Sequence, residues 1–271
     1  MSPAAAPVIR TPHQIMEFDP QLGGRVVSWR VDAREMLTRG GDHPIEFGMY
    51  VMAPWAGRIR DNAIHSQQID PSAEPSVHSL AVNYSPWALH GACLGAPIDS
   101  WEMVSGDRLR MSQRISGWPA TLLTEWRLDG WTAISTLTIE ADCPVPALMG
   151  WHPWFPASLD GQRARWSLTG SMAVRNEAFP SGELHAWSGG HRVDDAFLVP
   201  DGEVTIDWGS IALTIRNSDP WFVVYDERDD ALCVEPQNGP PNAFENPIRG
   251  GAPIASAMSP RAMTTEWTWV R

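Results

Sequence analysis

Cysteine is scarce in this chain: Cys93, Cys143 and Cys233 are the only three in 271 residues. Their odd number and the absence of any CxxC spacing argue against a disulfide framework and for free or buried thiols in a reducing compartment. Long apolar runs are missing too; none approaches the ~18 residues that suggest a membrane span. Residues Met1 to Arg10 have neither a basic n-region nor an apolar h-region, so a secretory signal is not expected and the expected location is the cytoplasm. Basic residues are outnumbered, 20 Lys and Arg against 32 Asp and Glu, for a formal net charge of −12. That balance argues against a nucleic-acid backbone or an anionic membrane surface as the main partner. A neutral small molecule, or an anionic one held by a few local arginines, stays open.

Catalytic signatures that would name a chemistry outright are also absent. HExxH, GxSxG, GxGxxG and P-loop patterns do not occur, and His13, His43, His65, His78, His185 and His191 show no zinc spacing with one another. No metal, nucleotide or covalent nucleophile is therefore expected, and no cofactor. Helical periodicity is rare: with 22 Gly and 24 Pro, few windows are long enough for an uninterrupted helix.

What is present is period-two alternation. Leu109, Met111, Gln113 and Ile115 alternate with Arg110, Ser112 and Arg114, and Leu122 to Leu128, Trp131 to Glu140, Val204 to Trp208, Ile211 to Ile215 and Glu266 to Val270 continue the pattern. Turn signals part these runs at Ser105-Gly106-Asp107, Asp129-Gly130 and Asn217-Ser218-Asp219-Pro220. The chain reads as one antiparallel all-β domain over 1–271, two large sheets face to face, with about residues 1–7 frayed. Tryptophan is abundant, 15 against 7 Phe and 3 Tyr. Most are expected to fill the core, while Trp154 and Trp55, set among charged residues, are candidates to line a sugar-sized cleft.

Four segments combine a charged or imidazole side chain with Gly or Pro: Pro54-Trp55-Ala56-Gly57-Arg58-Ile59-Arg60, Leu89-His90-Gly91, Gly150-Trp151-His152-Pro153-Trp154-Phe155, and Val234-Glu235-Pro236-Gln237-Asn238-Gly239-Pro240-Pro241. Gly and Pro fix the backbone beside the reactive group. Glu235 ends an apolar run that reads as a buried strand, with a loop expected to leave at Pro236; burial there would raise its pKa towards useful base strength. A structural carboxylate bonded to loop amides fits the spacing equally. His152, held extended by Pro153, is either a positioned general acid or a satisfied core histidine, and His90 carries the same ambiguity. Arg58 and Arg60 flank Ile59 and would share one face of a strand, there to bond sugar hydroxyls or an anionic substituent; for Arg60 a solvated edge is the simpler reading. Asp194-Asp195-Ala196-Phe197 supplies further acceptors.

Taken in order, these segments resemble the aldose 1-epimerase (mutarotase) family, which shows a PWxxRIR-type stretch, an LHG, a GxHPYF or GWHPWF, a D-x-x-F and an EPQ-containing segment. The match runs from Pro54 to Phe244. The resemblance implies a galactose-mutarotase-like antiparallel β-supersandwich and an enzyme that interconverts the α and β anomers of a hexose. It also implies Glu235 as the base, His152 as the acid, and His90, Asp194 and Arg58 as substrate contacts; Arg60 and Trp154 join them from the residue-level reading. Trp87 stands where many members have Asn. The expected partner is a small-molecule sugar, with the chain a monomer or homodimer. Alternatives are a mutarotase for a hexose 6-phosphate or sulfonated hexose, a glycosidase pairing Glu235 with Asp194 or Asp195, and a sugar-binding module without catalysis.

Overall fold

The computed structural model describes residues 6–245 and 252–271. Two large antiparallel sheets form it. The first runs, neighbour to neighbour, Val8–Arg10, Gln14–Asp19, Arg25–Val31, Met49–Met52, Gly150–Pro153, Ala231–Gln237, Trp221–Tyr225, Asp194–Leu198, Ser171–Asn176, Phe179–Ala186. The second runs Arg165–Leu168, Glu203–Asp207, Ala212–Asn217, Arg261–Val270, Thr132–Ala141, Ala120–Asp129, Arg108–Arg114, Ser100–Ser105. Among the described residues the single α-helix is Ser66–Ile69, and no helix is long and apolar enough to cross a membrane.

The alternation read from the sequence is the pleat of the second sheet. Leu109, Met111, Leu122, Trp126, Leu128, Leu137 and Ile139 all point into the core between the sheets, as a period of two requires. Asp129 pairs with Thr132 across a tight turn, where Gly130 takes φ +59°. Strand ends differ from the expected ones by a residue or so, and the last strand starts earlier, at Arg261. Of the terminus expected to fray, residues 1–5 lie outside the described residues. Pro7 does not fray: it is buried, and its carbonyl accepts from the Phe18 amide.

Tryptophan fills the core as expected. Trp29, Trp126, Trp151, Trp208 and Trp267 are fully buried, with Trp29 edge-on to Trp126, Trp267 and Trp269 at centroid separations of 5.2–6.3 Å.

In the first sheet the same pleat divides two jobs. Trp151, Val234, Val224 and Phe197 pack downward into the inter-sheet core. Their neighbours His152, Glu235, Val223 and Ala196 point to the opposite face, which is an open cleft. The register sets them in a row: His152 lies opposite Tyr50, Glu235 opposite Val223, and Val223 opposite Ala196.

Candidate active site

Strands Gly150–Pro153 and Ala231–Gln237 pair at Gly150 and Gln237. Pairing resumes only at Phe155 with Leu232. Between these points the two strands part, and the imidazole of His152 and the carboxylate of Glu235 meet across the gap. The expected loop at Pro236 does not occur, because the strand continues to Gln237. Asn238, two residues beyond Pro236, donates to the Met149 carbonyl, so Pro236 turns its backbone nitrogen to the same edge. A proline costs no ladder bond there, since its neighbour has moved away. Gly150 allows the approach at the closed end: a Cβ on it would lie 2.8–2.9 Å from the Gln237 and Met52 side chains and the Pro236 carbonyl.

Nε2 of His152 is 3.2 Å from Oε1 of Glu235, and the two residues are only 5% and 3% exposed. Tyr50 stacks on one side of the imidazole, 4.8 Å between centroids and 15° between planes. Trp154 lies 5.2 Å away at 31°, and His90 meets it edge-on at 4.8 Å. The Gln237 side-chain amide donates to Oε2 of Glu235 at 3.1 Å. Burial, reinforced by nearby Asp194, pushes the Glu235 carboxyl well above its usual range, while the Gln237 amide and Arg58 pull the other way. Burial also pushes His152 down to about 3. Both shifts disfavour charge, so burial favours a protonated carboxyl beside a neutral imidazole.

His90 belongs to the turn after Leu89 and takes φ +59°. Its Nδ1 accepts from the Gly57 amide at 3.2 Å. Burial, then His152 and Arg58, keep it far below the usual imidazole pKa. It is therefore neutral, and with Nδ1 accepting, its proton sits on Nε2 as a donor.

The cleft has a volume of about 360 Å³ and is lined by Arg58, His90, His152, Trp154, Arg175, Asp194, Asp195, Arg228 and Glu235, among others. That is the lower end of the size range for small-molecule sites. Ala173, Ala196 and Val223 pack together as its small apolar floor. Asp194 lies 3.7 Å from Arg58 and 3.8 Å from Arg175, and Arg175 also binds Asp195 at 2.6 Å.

Six expected site residues thus come together: Glu235, His152, His90, Asp194, Arg58 and Trp154. Two other candidates do not join them. Arg58 and Arg60 share no strand face, because Arg60 opens a 3-10 turn, Arg60–Asn62. Its guanidinium turns away to Glu245 at 2.7 Å and lies over the Phe179 ring at 4.3 Å. Trp55 is core, only 4% exposed, and its indole N–H donates to the Ala88 carbonyl. The sequence reading missed Arg175, Arg228, Tyr50 and Gln237. Gln237 was findable, since it lies two residues beyond Glu235 on the same strand face. Arg175 carries no local motif and reaches the cleft only because its strand lies beside that of Asp194.

No family model matches the sequence, and no curated protein matches it either. Solved structures do. A proposed aldose 1-epimerase of Escherichia coli K12 superposes with a TM-score of 0.80, covering 98% of this chain and 99% of that one at 16% identity. The chain has the galactose-mutarotase-like fold. A galactose mutarotase-like protein of Clostridium acetobutylicum gives 0.79 at 12% identity, over 97% and 94% of the two chains. An aldose epimerase homologue from C. elegans gives 0.78 at 14%, over 98% and 99%. In this chain the cleft on the first sheet is lined by the His152–Glu235 pair.

Proposed function

We propose that the protein is an isomerase, an aldose 1-epimerase that interconverts the anomers of a neutral hexose. The observation carrying this reading is the buried His152–Glu235 pair, 3.2 Å apart, at the base of a sugar-sized cleft. Anomer exchange needs a proton removed from the anomeric hydroxyl and one delivered to the ring oxygen. Both oxygens sit on one carbon, so a donor and an acceptor in mutual contact can address them from the same side. The ring opens, the aldehyde turns about its bond to the next carbon, and closure on the other face exchanges the two roles. Neither residue is consumed. For Glu235 to begin as the base, its proton must first pass to His152, and the Gln237 amide and Arg58 favour that carboxylate form. Neutral His90 and the carboxylate of Asp194 supply a donor and an acceptor for the remaining hydroxyls, and Trp154 offers a flat apolar face.

The cleft's charge pairing supports a neutral substrate. Arg58 and Arg175 are engaged by Asp194 and Asp195, and Arg228 by Asp230 at 2.7 Å. A phosphate or sulfonate would have to compete with those carboxylates, and Arg60, the other candidate clamp, is occupied outside the cleft. A glycosidase reading is weakened because the group in contact with Glu235 is an imidazole rather than a second carboxyl. Anomeric exchange followed by NMR tests the proposal across glucose, galactose and their 6-phosphorylated and 6-sulfonated analogues. The neutral sugars should exchange fastest. A higher kcat/KM for charged sugars would move the assignment to an anionic hexose, and no acceleration of any sugar would leave a binding module.

The pH profile of kcat/KM should be bell-shaped with a broad top. Activity requires one proton in the pair. A second proton enters only as pH falls towards the depressed His152 value of about 3. The last one leaves as pH rises through the raised Glu235 value. The acid limb thus belongs chiefly to His152 and the alkaline limb to Glu235, the reverse of their unperturbed order, although both apparent values belong to the coupled pair. A profile centred on an ordinary imidazole titration would count against it.

A further inference from the structure

Cys233 is a polarizable donor beside the acid–base pair, and the proposed chemistry makes no use of it. It sits two residues before Glu235 on the same face of the strand, fully buried. Its Sγ, a nitrogen of His152 and a carboxylate oxygen of Glu235 all lie within 4.8 Å of one another. Tetrahedral zinc, with bonds of about 2.0–2.3 Å, needs ligand atoms about 3.3–3.6 Å apart. The His152–Glu235 separation of 3.2 Å already fits, and the sulfur has to close by no more than about 1.5 Å.

We propose that His152, Cys233 and Glu235 form a site for a thiophilic divalent cation such as Zn²⁺, and that its occupancy silences the acid–base pair. A thiolate and a carboxylate would neutralise the ion's two charges, so the buried cluster carries no net charge with neutral imidazole as third ligand. The cleft side leaves a fourth position for water, the three-plus-one arrangement of open zinc centres. Binding displaces the thiol and carboxyl protons and occupies the very atoms that exchange protons with the sugar. Among the described residues Nδ1 of His152 has no partner on another residue, whereas histidines that hold resident metals are fixed through that second nitrogen. The site is therefore one that loads and unloads with the ambient cation.

The test uses full-length protein carrying Cys143→Ser, which removes the exposed thiol. Titration with Co²⁺ should develop a thiolate-to-cobalt charge-transfer band at one equivalent, displaced by Zn²⁺. Cys233→Ala and Cys233→Ser should each lose the band while keeping their sugar exchange rate. Inhibition by Zn²⁺ should be reversed by chelator and weaken at least tenfold in both variants. Absence of the band, equal zinc inhibition with and without Cys233, or activity that rises with zinc would each overturn the proposal. The absorbance readout needs no catalysis, so its failure is separable from a failure of the epimerase assignment.

Discussion

Glu235→Gln is expected to lower kcat by about 10²–10⁴-fold, or roughly 3–5 kcal/mol of barrier, with the fold intact and sugar still bound. Glutamine keeps the shape and a hydrogen-bonding partner for Gln237 but cannot carry a proton between O1 and the ring oxygen. His152→Asn should cost kcat comparably. The double variant should lose less than the product of the two single losses, because the two groups act in one step. The same substitution should stabilise the protein above the ordinary carboxylate range. A carboxyl whose folded pKa is raised gives its full stabilising contribution below its unfolded value and loses it as pH climbs through the folded one. Glutamine has no such decline, so the Tm difference should widen in the variant's favour as pH rises, by about 2–4 °C for each kcal/mol. A folded Glu235→Gln protein with near-normal kcat would place the base elsewhere.

Gly91→Ala should be the most damaging glycine-to-alanine change among the described residues. Gly91 has φ +82°, and a Cβ there would lie 2.1 Å from the Ala53 carbonyl oxygen and 2.4 Å from its carbon. Those are backbone atoms that cannot rotate aside, and the amide of Ala92 donates to that same oxygen. Strain and clash together should cost roughly 3 kcal/mol or more, a fall of about 6–12 °C in Tm. His90, one residue earlier, would lose its bond from Gly57, so kcat/KM should fall even where the protein remains folded. Gly95→Ala is the matched control, since nothing lies within 4 Å of its added Cβ. Equal thermal stability in the two variants would show that the turn can relax.

The reason the candidate site was partly legible lies in its backbone. His152 and Glu235 were found because their segments pair a reactive side chain with Gly or Pro, and the structure uses Gly150 and Pro236 to open the gap in which the two groups meet. His90 was found for a similar reason, its neighbour Gly91 occupying a place where only hydrogen fits. The second sheet was legible because one of its faces is wet and the other dry, which prints alternation on the sequence. Strands such as Ala231–Gln237, buried throughout, print no such pattern, and their order in the first sheet is not a local property. For that reason Arg175, brought in by a strand neighbour, could not be read. Arg60 misled because Arg-Ile-Arg mimics an alternating strand, whereas the chain turns there to satisfy Asn242 and Glu245.

Because His152 and Glu235 grow from the same strands whose opposite side chains are the inter-sheet core, the candidate site and the architecture share a single inheritance. A change at Trp151 or Val234 reaches His152 or Glu235 through one peptide unit, so the floor of the cleft has little freedom to drift. Outside the cleft the packing is built otherwise. Trp87 and Phe179 meet edge-on at 5.5 Å, with Arg60 lying over Phe179, and none of these three side chains belongs to the core between the sheets. Substitutions at these three positions, none of which lines the cleft, can accumulate without disturbing the strands that set its floor.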